Sequence, residues 1–298
     1  MPEHDFHSPR LFVDAPLGAG ATVSLERDQS NYLGNVLRLG AGDTVLVFNG
    51  RDGEWRAAIS GRKRADTLTI TAQTRAQDRL PDVTYVFAPL KHARLDYMVQ
   101  KAVEMGAARL APVLTRFTQV SRVNGERMRA NVVEAAEQCG IISLAEVADP
   151  LPLERYLAGR DPARLLVFCD EAAEVANPMQ ALQAATTANS GIDVLVGPEG
   201  GFAEEERALL LRQPNILRLA LGPRILRADT AAVAALTLVQ AALGDWGGSD
   251  GHTSARVPSP LRGREPERRA HLTRKSACPA PSQAVAKSLT NPIIKPLG

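Results

Sequence analysis

The chain of 298 residues has room for two domains, since domains usually have about 100–200 residues each. Hydrophobic residues make up 45% and charged residues 23% of the chain, a balance typical of an ordinary globular protein. No apolar run approaches the ~20 residues that would cross a bilayer, and the start MPEHDFHSPR lacks the apolar segment of a secretory signal. We therefore predict a soluble cytoplasmic protein with no membrane partner.

The net charge of +2 is the sum of two unlike parts. Residues 247–298 contain nine Lys or Arg and three Asp or Glu, a charge of +6, so residues 1–246 carry −4. This balance neither demands nor excludes RNA, because binding to nucleic acid needs only a local basic surface. The three cysteines, Cys139, Cys169 and Cys278, form no CxxC pair, which favours free thiols in a reducing compartment and predicts no metal site.

Residues 10–75 alternate short apolar runs with turn residues, a pattern that predicts several short strands and a small β-barrel or sandwich. Between the second and third runs, DQSNYLGNVLRLGAGD predicts a helix with Asp28 as N-cap and with Leu33, Val36 and Leu37 on one face. The predicted strands lie in the runs RLFVDAPL, ATVSLE, DTVLVFNG, EWRAAISG and TLTITAQT.

Basic residues are concentrated in two places. The N-terminal segment contains the run Arg62-Lys63-Arg64, which is available for phosphate contact or is simply a solvated turn. The last 52 residues contain seven prolines and no aromatic residue, so they cannot bury enough apolar surface to fold. We predict that 247–298 is a disordered basic tail, which either adds affinity for RNA or has no function.

From Asp82 the pattern changes to buried strands that alternate with amphipathic helices, which predicts an α/β domain with a mainly parallel sheet. The helix LDYMVQKAVEMG ends with Gly106 at the C′ position. The last helix, from Thr230 to Leu243, is almost entirely Ala, Val and Leu, and Asp229 is its predicted N-cap. Further strands are predicted in VTYVFAPL, LAPVL, 164–171, 192–197 and 216–221, and further helices in ERMRANVVEAAEQCG, 178–188 and 203–213.

Two segments of this domain have the same design of buried strand, glycine-bearing turn and helix. They are VLVGPEGGFAEEE, residues 194–206, and LALGPRILRADTAA, residues 219–232. In an open parallel sheet, ligands bind beyond the carboxyl ends of the strands, where such turns lie. The two segments therefore predict one pocket that is built largely from backbone.

The first turn is a poor phosphate site, because the helix after it starts with Glu204-Glu205-Glu206. Three carboxylates already complement the positive helix end and repel an anion. A neutral or cationic ligand such as adenosine joined to a sulfonium fits better, although a tight turn with an acid-capped helix also explains the residues. The second turn contains Arg224 and Arg227, whose planar guanidinium groups suit an anionic nucleotide.

These motifs resemble the RsmE family, bacterial methyltransferases that modify a uridine of 16S ribosomal RNA at ring nitrogen 3 and belong to the SPOUT class. The resemblance covers roughly residues 8–246. It is based on RLFV, NVLRLGAGD, PLKHARLDYMVQKAVEMG, EAAEQCG, VLVGPEGGF and LGPRILRADTA.

The resemblance implies a fold, a cofactor and partners. The fold would be α/β, with a PUA-like RNA-binding β-barrel in residues 1–78 and a SPOUT trefoil-knot domain with a mainly parallel sheet in residues 79–246. The cofactor would be S-adenosyl-L-methionine, and the substrate would be 16S rRNA in the assembled small ribosomal subunit. The enzyme would work as a homodimer.

The family's functional residues map onto both turns. Arg227 would face the substrate or the cofactor carboxylate, and Arg10 would approach the RNA from the first strand of the barrel. Asp229 and His92 are candidates for the general base, although helix capping explains Asp229 equally well and a structural role explains His92. The cofactor site would be formed by Leu195, Gly197, Glu199, Gly200, Gly201, Leu221, Gly222, Ile225 and Leu226.

The sequence departs from the family pattern at four positions. Asp229 stands where Glu is common, which preserves charge and capping. Tyr32 replaces a common His, Gly34 is unusual within its helix, and Ile141 stands where Arg is typical. These three changes remove polar groups or helix stability, which weakens any inference about RNA or interface contacts there.

Two other classes of function remain open. The first is a doubly wound enzyme with a nucleotide cofactor such as NAD, which the absence of GxGxxG disfavours. The second is a non-catalytic RNA-binding factor for ribosome assembly, which the intact cofactor turns disfavour. Binding of S-adenosylmethionine would distinguish the methyltransferase from both.

Overall fold

The chain folds around two β-sheets, each with its own core. The computed structural model describes residues 5, 7–60, 66–120, 122–174, 177–185 and 191–247. The predicted basic run Arg62-Lys63-Arg64 lies outside the described residues, as does the predicted tail apart from Gly247.

The N-terminal sheet consists of the five predicted strands. They are β1 (Arg10–Phe12), β2 (Thr22–Ser24), β3 (Thr44–Phe48), β4 (Glu54–Ile59) and β5 (Thr67–Arg75). Their spatial order is β1-β3-β4-β5-β2, with β1 parallel to β3 and the other pairs antiparallel. Leu11, Val23, Val45, Ala57 and Leu68, one from each strand, pack in a single cluster. Since both edge strands contribute to it, the sheet curls around this core like a partly open barrel.

The helix predicted between β2 and β3 begins earlier than expected and is irregular. Helix α1 covers Arg27–Asn31, and a π-helical turn covers Tyr32–Val36. The N-cap is Glu26, whose backbone N–H donates to the Gln29 side chain at 3.0 Å, so Asp28 is not the cap. The wider π turn rotates the side chains. Leu33 is therefore fully buried but Val36 is exposed, and the predicted apolar face is wrong for Val36.

The second sheet is parallel in every described pairing, as predicted. Its strands are β6 (Val83–Phe87), β7 (Arg109–Leu114), β8 (Glu146–Val147), β9 (Leu151–Pro152), β10 (Leu165–Cys169), β11 (Ile192–Val196) and β12 (Ile216–Leu219). The spatial order is β12-β10-β11-β6-β7-β8, and β9 pairs with β7. Strands β6 and β11 are buried along their whole length, because both lie in the middle of the sheet.

Helices cover the parallel sheet. They are α2 (His92–Glu104), α3 (Gly125–Cys139), α4 (Leu153–Gly159), α5 (Pro178–Ala184), α6 (Glu204–Leu211) and α7 (Ala228–Leu243). Helix α7 packs against α2, α5 and β11, and its buried Gln240 donates to the carbonyl of Met105 at 2.8 Å. Gly106 follows α2 with φ 80°, as a C′ glycine should. No described helix is long and apolar enough to span a bilayer.

A buried ion cluster links the two sheets. The Glu54 carboxylate accepts from Arg10 Nε at 2.8 Å and from Arg75 Nη2 at 2.7 Å, and Arg75 also donates to the carbonyl of Gly140 after α3. Burial raises the pKa of Glu54, but the hydrogen bonds from Arg75 and Arg10 outweigh it and keep the pKa below its ordinary value. Beside this cluster, Phe48 of β3 packs against Ala136 of α3.

Candidate functional site

Three loops meet at the carboxyl edge of the parallel sheet. They follow β6, β11 and β12, and the last two contain the glycine-bearing turns predicted as a pocket. Strand β12 lies two positions away from β11, yet Asp229 at the start of α7 contacts Arg94 beside β6. Residues 220–228 therefore cross over the ends of β10 and β11, which brings the two turns together.

The first turn is compact. The Gly201 N–H donates to the carbonyl of Pro198 at 2.9 Å, and Gly200 lies against Phe117 from the loop after β7. Gly197 has the least room, since an added Cβ would lie 2.4 Å from the Phe202 ring. That ring is held edge-on against Phe168 of β10, with centroids 5.4 Å apart. The close approach at Gly197 therefore requires glycine.

Gly197→Ala is expected to destabilise the fold by about 1–3 kcal/mol, the usual cost of overpacking a well-packed site. The Phe202 ring would have to leave its place against Phe168. Thermal unfolding followed by circular dichroism measures this. Gly18→Ala is the matched control, because a Cβ at Gly18 meets no atom within 4 Å. Equal melting temperatures for the two variants would contradict this packing argument.

The helix after the first turn is capped by its own glutamate. The Glu206 side chain accepts from the Ala203 N–H at 2.9 Å and from the Arg116 N–H at 2.8 Å. A second carboxylate, that of Asp170 after β10, forms an ion pair with Arg207 of α6 at 2.7 Å. The helix end thus has its own anion, which agrees with the prediction that this turn is a poor phosphate site.

The second turn has an anchored base and an exposed tip. Leu221 and Leu226 pack on the main core, whereas Ile225 is 93% exposed. Arg224 and Arg227 are exposed as well, and neither guanidinium has a carboxylate partner among the described residues. Two solvated cations with free donors therefore stand beside the turn, which can take an anionic ligand without first breaking an ion pair.

Arg94, in the first turn of α2, connects the two glycine-bearing segments. Its Nε donates to Asp229 Oδ2 at 3.1 Å, and its Nη1 donates to Glu199 Oε1 at 2.5 Å. Its third nitrogen, Nη2, is buried and has no hydrogen-bond partner among the described residues. One guanidinium thus binds both turns and keeps one donor free.

Asp229 is not the N-cap that the sequence predicts. The cap position belongs to Arg227, and Asp229 is the second residue of α7. Its carboxylate is paired with Arg94, and that hydrogen bond holds the pKa of Asp229 below its ordinary value, against a smaller opposing effect of burial. A carboxylate with a lowered pKa is a weaker base, so Asp229 is poorly suited to accept a substrate proton.

The Asp229 pairing predicts a dependence of stability on pH. Because the folded pKa is lower than the unfolded one, the stabilisation is complete above the ordinary pKa of about 3.8 and is lost as the pH falls through the folded value. The difference in melting temperature between the wild type and Asp229→Asn should therefore be constant from pH 7 to about pH 5 and shrink below about pH 4. A difference that already shrinks near neutral pH would contradict the lowered pKa.

The remaining predicted residues lie in different places. Leu195 is buried in β11, Gly222 adopts φ 103° in the second turn, and His92 is the first residue of α2. Arg10 is elsewhere: its side chain is 5% exposed and bound to Glu54. The predicted approach of Arg10 to RNA is not supported by this position, because a buried arginine committed to an ion pair has no surface to offer.

Sequence reasoning missed Arg94 and Asp170. Arg94 lies just before the start of the predicted helix, Asp170 lies just past the observed end of β10, and their partners are far away along the chain: 105 and 135 residues for Arg94, and 37 residues for the pair of Asp170 with Arg207. The only available signal was the position of Arg94 just after a buried strand, in the motif PLKHARLD.

Comparisons with known proteins agree with this architecture. A family model described as an RNA methyltransferase domain matches residues 77–240, more than half of the chain, and one described as an RNA methyltransferase PUA domain matches residues 25–69. The fold and the site therefore define an RNA methyltransferase with an N-terminal PUA domain. The expected fold class, a PUA-like barrel followed by a SPOUT-type α/β domain with a mainly parallel sheet, is confirmed.

The individual proteins that this chain is similar to belong to one named family. The chain is 30% identical to ribosomal RNA small subunit methyltransferase E of Rickettsia conorii, over 78% of this chain and 94% of the relative, and 34% identical to that of Synechocystis sp., over 78% of both. A solved structure of the enzyme from Neisseria gonorrhoeae, bound to S-adenosyl methionine, superimposes with a TM-score of 0.67 at 25% identity, over 78% of this chain and 97% of that one. The chain belongs to the ribosomal RNA small subunit methyltransferase E family.

Proposed function

We propose that this protein transfers a methyl group from S-adenosylmethionine to ring nitrogen 3 of one uridine of 16S ribosomal RNA in the small ribosomal subunit. The observation that carries the proposal is the meeting of the two glycine-bearing turns at one edge of the sheet, in a chain of this family. The free cations of the second turn add the capacity to bind RNA.

The residues of the two turns fit the proposed cofactor. Gly197, Gly200 and Gly201 offer backbone groups on one side, with the Glu199 carboxylate beside them, and the buried Leu195 supports this wall from β11. A self-capped α6 suits a ligand with a sulfonium and no phosphate, because the helix end already has a carboxylate of its own. The second wall would consist of Leu221, Gly222, Ile225 and Leu226, of which Ile225 has the most surface left to bury.

The chemistry requires the N3–H bond of uridine to break and a bond from N3 to the methyl carbon to form. S-adenosylmethionine, when bound, supplies the methyl group from its sulfonium. We assign to Arg227 the stabilisation of the negative charge on the deprotonated base or on the phosphate beside it. Because Arg94 already lowers the pKa of Asp229, we assign the uridine proton to solvent rather than to Asp229. Asp229 then acts through Arg94, by fixing the second turn.

The RNA would contact both sheets. Residues 1–78 are proposed as the RNA-binding part and residues 79–246 as the transferase part, working as a homodimer in the cytoplasm, where ribosomes are. A half-open cleft of about 420 Å³ lies beside the first turn of α2, and Lys91, Arg122 and Arg127 are among the residues that line it. Lys91 and Arg122 suit the backbone of an RNA strand that enters next to Arg94, whereas Arg127 is already paired with Asp96 at 2.6 Å.

Isothermal titration calorimetry with S-adenosylmethionine tests the cofactor assignment. The proposal expects saturable binding, whereas NAD should give no heat. Absence of S-adenosylmethionine binding to a folded protein would refute the methyltransferase proposal. It would favour a non-catalytic RNA-binding factor, which would still bind the small subunit.

A further inference from the structure

We infer that Arg94 is a positioning residue for the proposed reaction: it fixes the two glycine-bearing turns relative to each other and donates its free Nη2 hydrogen bond to an oxygen of the bound ligands. The inference rests on the proposed function and adds to it a specific donor. Its physical basis is the hydrogen-bonding of a single guanidinium group.

The two bonds that Arg94 makes join segments that the main chain leaves separate. Glu199 belongs to the turn after β11, and Asp229 belongs to the helix that follows β12. Opposite charges on both sides hold the guanidinium fully protonated and raise its pKa. The planar fork of arginine allows two carboxylates to be held at a fixed separation, which the single ammonium of lysine does not reproduce.

The third nitrogen of the Arg94 guanidinium, Nη2, indicates that a ligand binds there. Nη2 is buried and lacks an acceptor among the described residues. A buried donor without a partner is costly, at about 1–3 kcal/mol, so proteins rarely keep one unless something binds it. It lies on a guanidinium whose other two nitrogens hold the two walls of the proposed pocket, which makes that pocket the natural source of an acceptor.

The acceptor chemistry is an oxygen with negative or partial negative charge. Two ligands of the proposed reaction carry such an oxygen: the carboxylate of the cofactor's amino acid part, and the carbonyl oxygens that flank N3 of the uracil. The charge on those carbonyls rises when N3 loses its proton, so a donor there would act mainly in the transition state.

Arg94→Lys and Arg94→Ala test the inference. Arg109→Ala is the matched control, because Arg109 is an exposed arginine at the amino end of β7, on the opposite edge of the sheet, in a surface pair with Glu146. Each protein is analysed by thermal unfolding, by calorimetry with S-adenosylmethionine, and by methyl transfer to small ribosomal subunits.

Arg94→Lys is expected to lower kcat/KM by about 10- to 100-fold, since small losses of alignment have effects of this size, and to be nearly as impaired as Arg94→Ala. Arg109→Ala should stay within twofold of wild type. If Nη2 binds the cofactor carboxylate, the Kd for S-adenosylmethionine rises in Arg94→Lys. If it binds the uracil oxygen, that Kd stays unchanged and kcat falls.

Wild-type binding and turnover in Arg94→Lys would overturn the inference, because the lysine would then show that only the positive charge matters. A wild-type protein that neither binds S-adenosylmethionine nor methylates RNA would instead refute the proposed function. A folded Arg94→Lys variant with both Kd and kcat impaired supports the role of Arg94, because the control removes an arginine without touching the turns.

Discussion

Arg227→Ala is expected to lower kcat for methylation of the small ribosomal subunit by about 100- to 1000-fold, the usual effect of removing one donor that stabilises developing negative charge. The structure leaves the Arg227 side chain exposed and without a carboxylate partner among the described residues, at the N-cap of α7. Its charge is therefore available to the substrate. Single-turnover kinetics with labelled S-adenosylmethionine measure the change.

Two controls separate catalysis from binding and folding. Arg212→Ala removes an exposed arginine at the carboxyl end of α6 and should leave kcat within twofold of the wild-type value. Calorimetry on Arg227→Ala should show cofactor affinity close to that of wild type if the arginine serves the RNA, and weaker affinity if it binds the cofactor carboxylate. A folded Arg227→Ala enzyme with wild-type kcat and KM would contradict the assignment.

Glu54→Gln is expected to destabilise the protein by about 3–5 kcal/mol, because it leaves the buried Arg10 and the partly buried Arg75 without their counter-ion. The Glu54 side chain is 3% exposed and that of Arg10 is 5% exposed, so water cannot replace the lost partner. Urea unfolding at neutral pH gives the free energy of unfolding for the comparison. The single substitution removes the counter-ion of both arginines, since one carboxylate pairs with both of them.

Asp14→Asn provides the comparison for Glu54→Gln on the same sheet. It breaks the ion pair between Asp14 and Arg51, whose side chains are 80% and 52% exposed respectively. Exposed ion pairs contribute at most about 1 kcal/mol. If Glu54→Gln were as mild as Asp14→Asn, the cluster would not be the link between the two sheets. In that case other contacts, among them the packing of Phe48 on Ala136 and the bond from the Phe12 N–H to Glu137 at 2.8 Å, would hold them together.

Much of the fold follows from local patterns in the sequence. The alternation in residues 10–75 gives all five strands of the first sheet, and the apolar runs after Asp82 give β6, β7, β10, β11 and β12. The two-residue strands β8 and β9 and the short helix α4 were missed, because they are too short to show a period. Strand order was not predictable either, since periodicity does not reveal which strands are neighbours.

The candidate site was predictable as segments but not as contacts. The glycines, the helix starts and the unpaired arginines are all visible in the sequence, and they lie at the expected edge of the sheet. The helix after the second turn begins two residues earlier than predicted, so Asp229 is not its N-cap and its carboxylate instead pairs with Arg94. Arg10 is bound to Glu54, a partner 44 residues away that no local pattern indicates.

The position of the methyl group on the RNA tests the proposed function of this protein. Small ribosomal subunits from cells that lack this enzyme are incubated with the purified protein and labelled S-adenosylmethionine, and the 16S rRNA is digested and analysed by mass spectrometry. We expect one added methyl group, at ring nitrogen 3 of a single uridine. No incorporation, or a methyl group on a ribose or on another base, would contradict it.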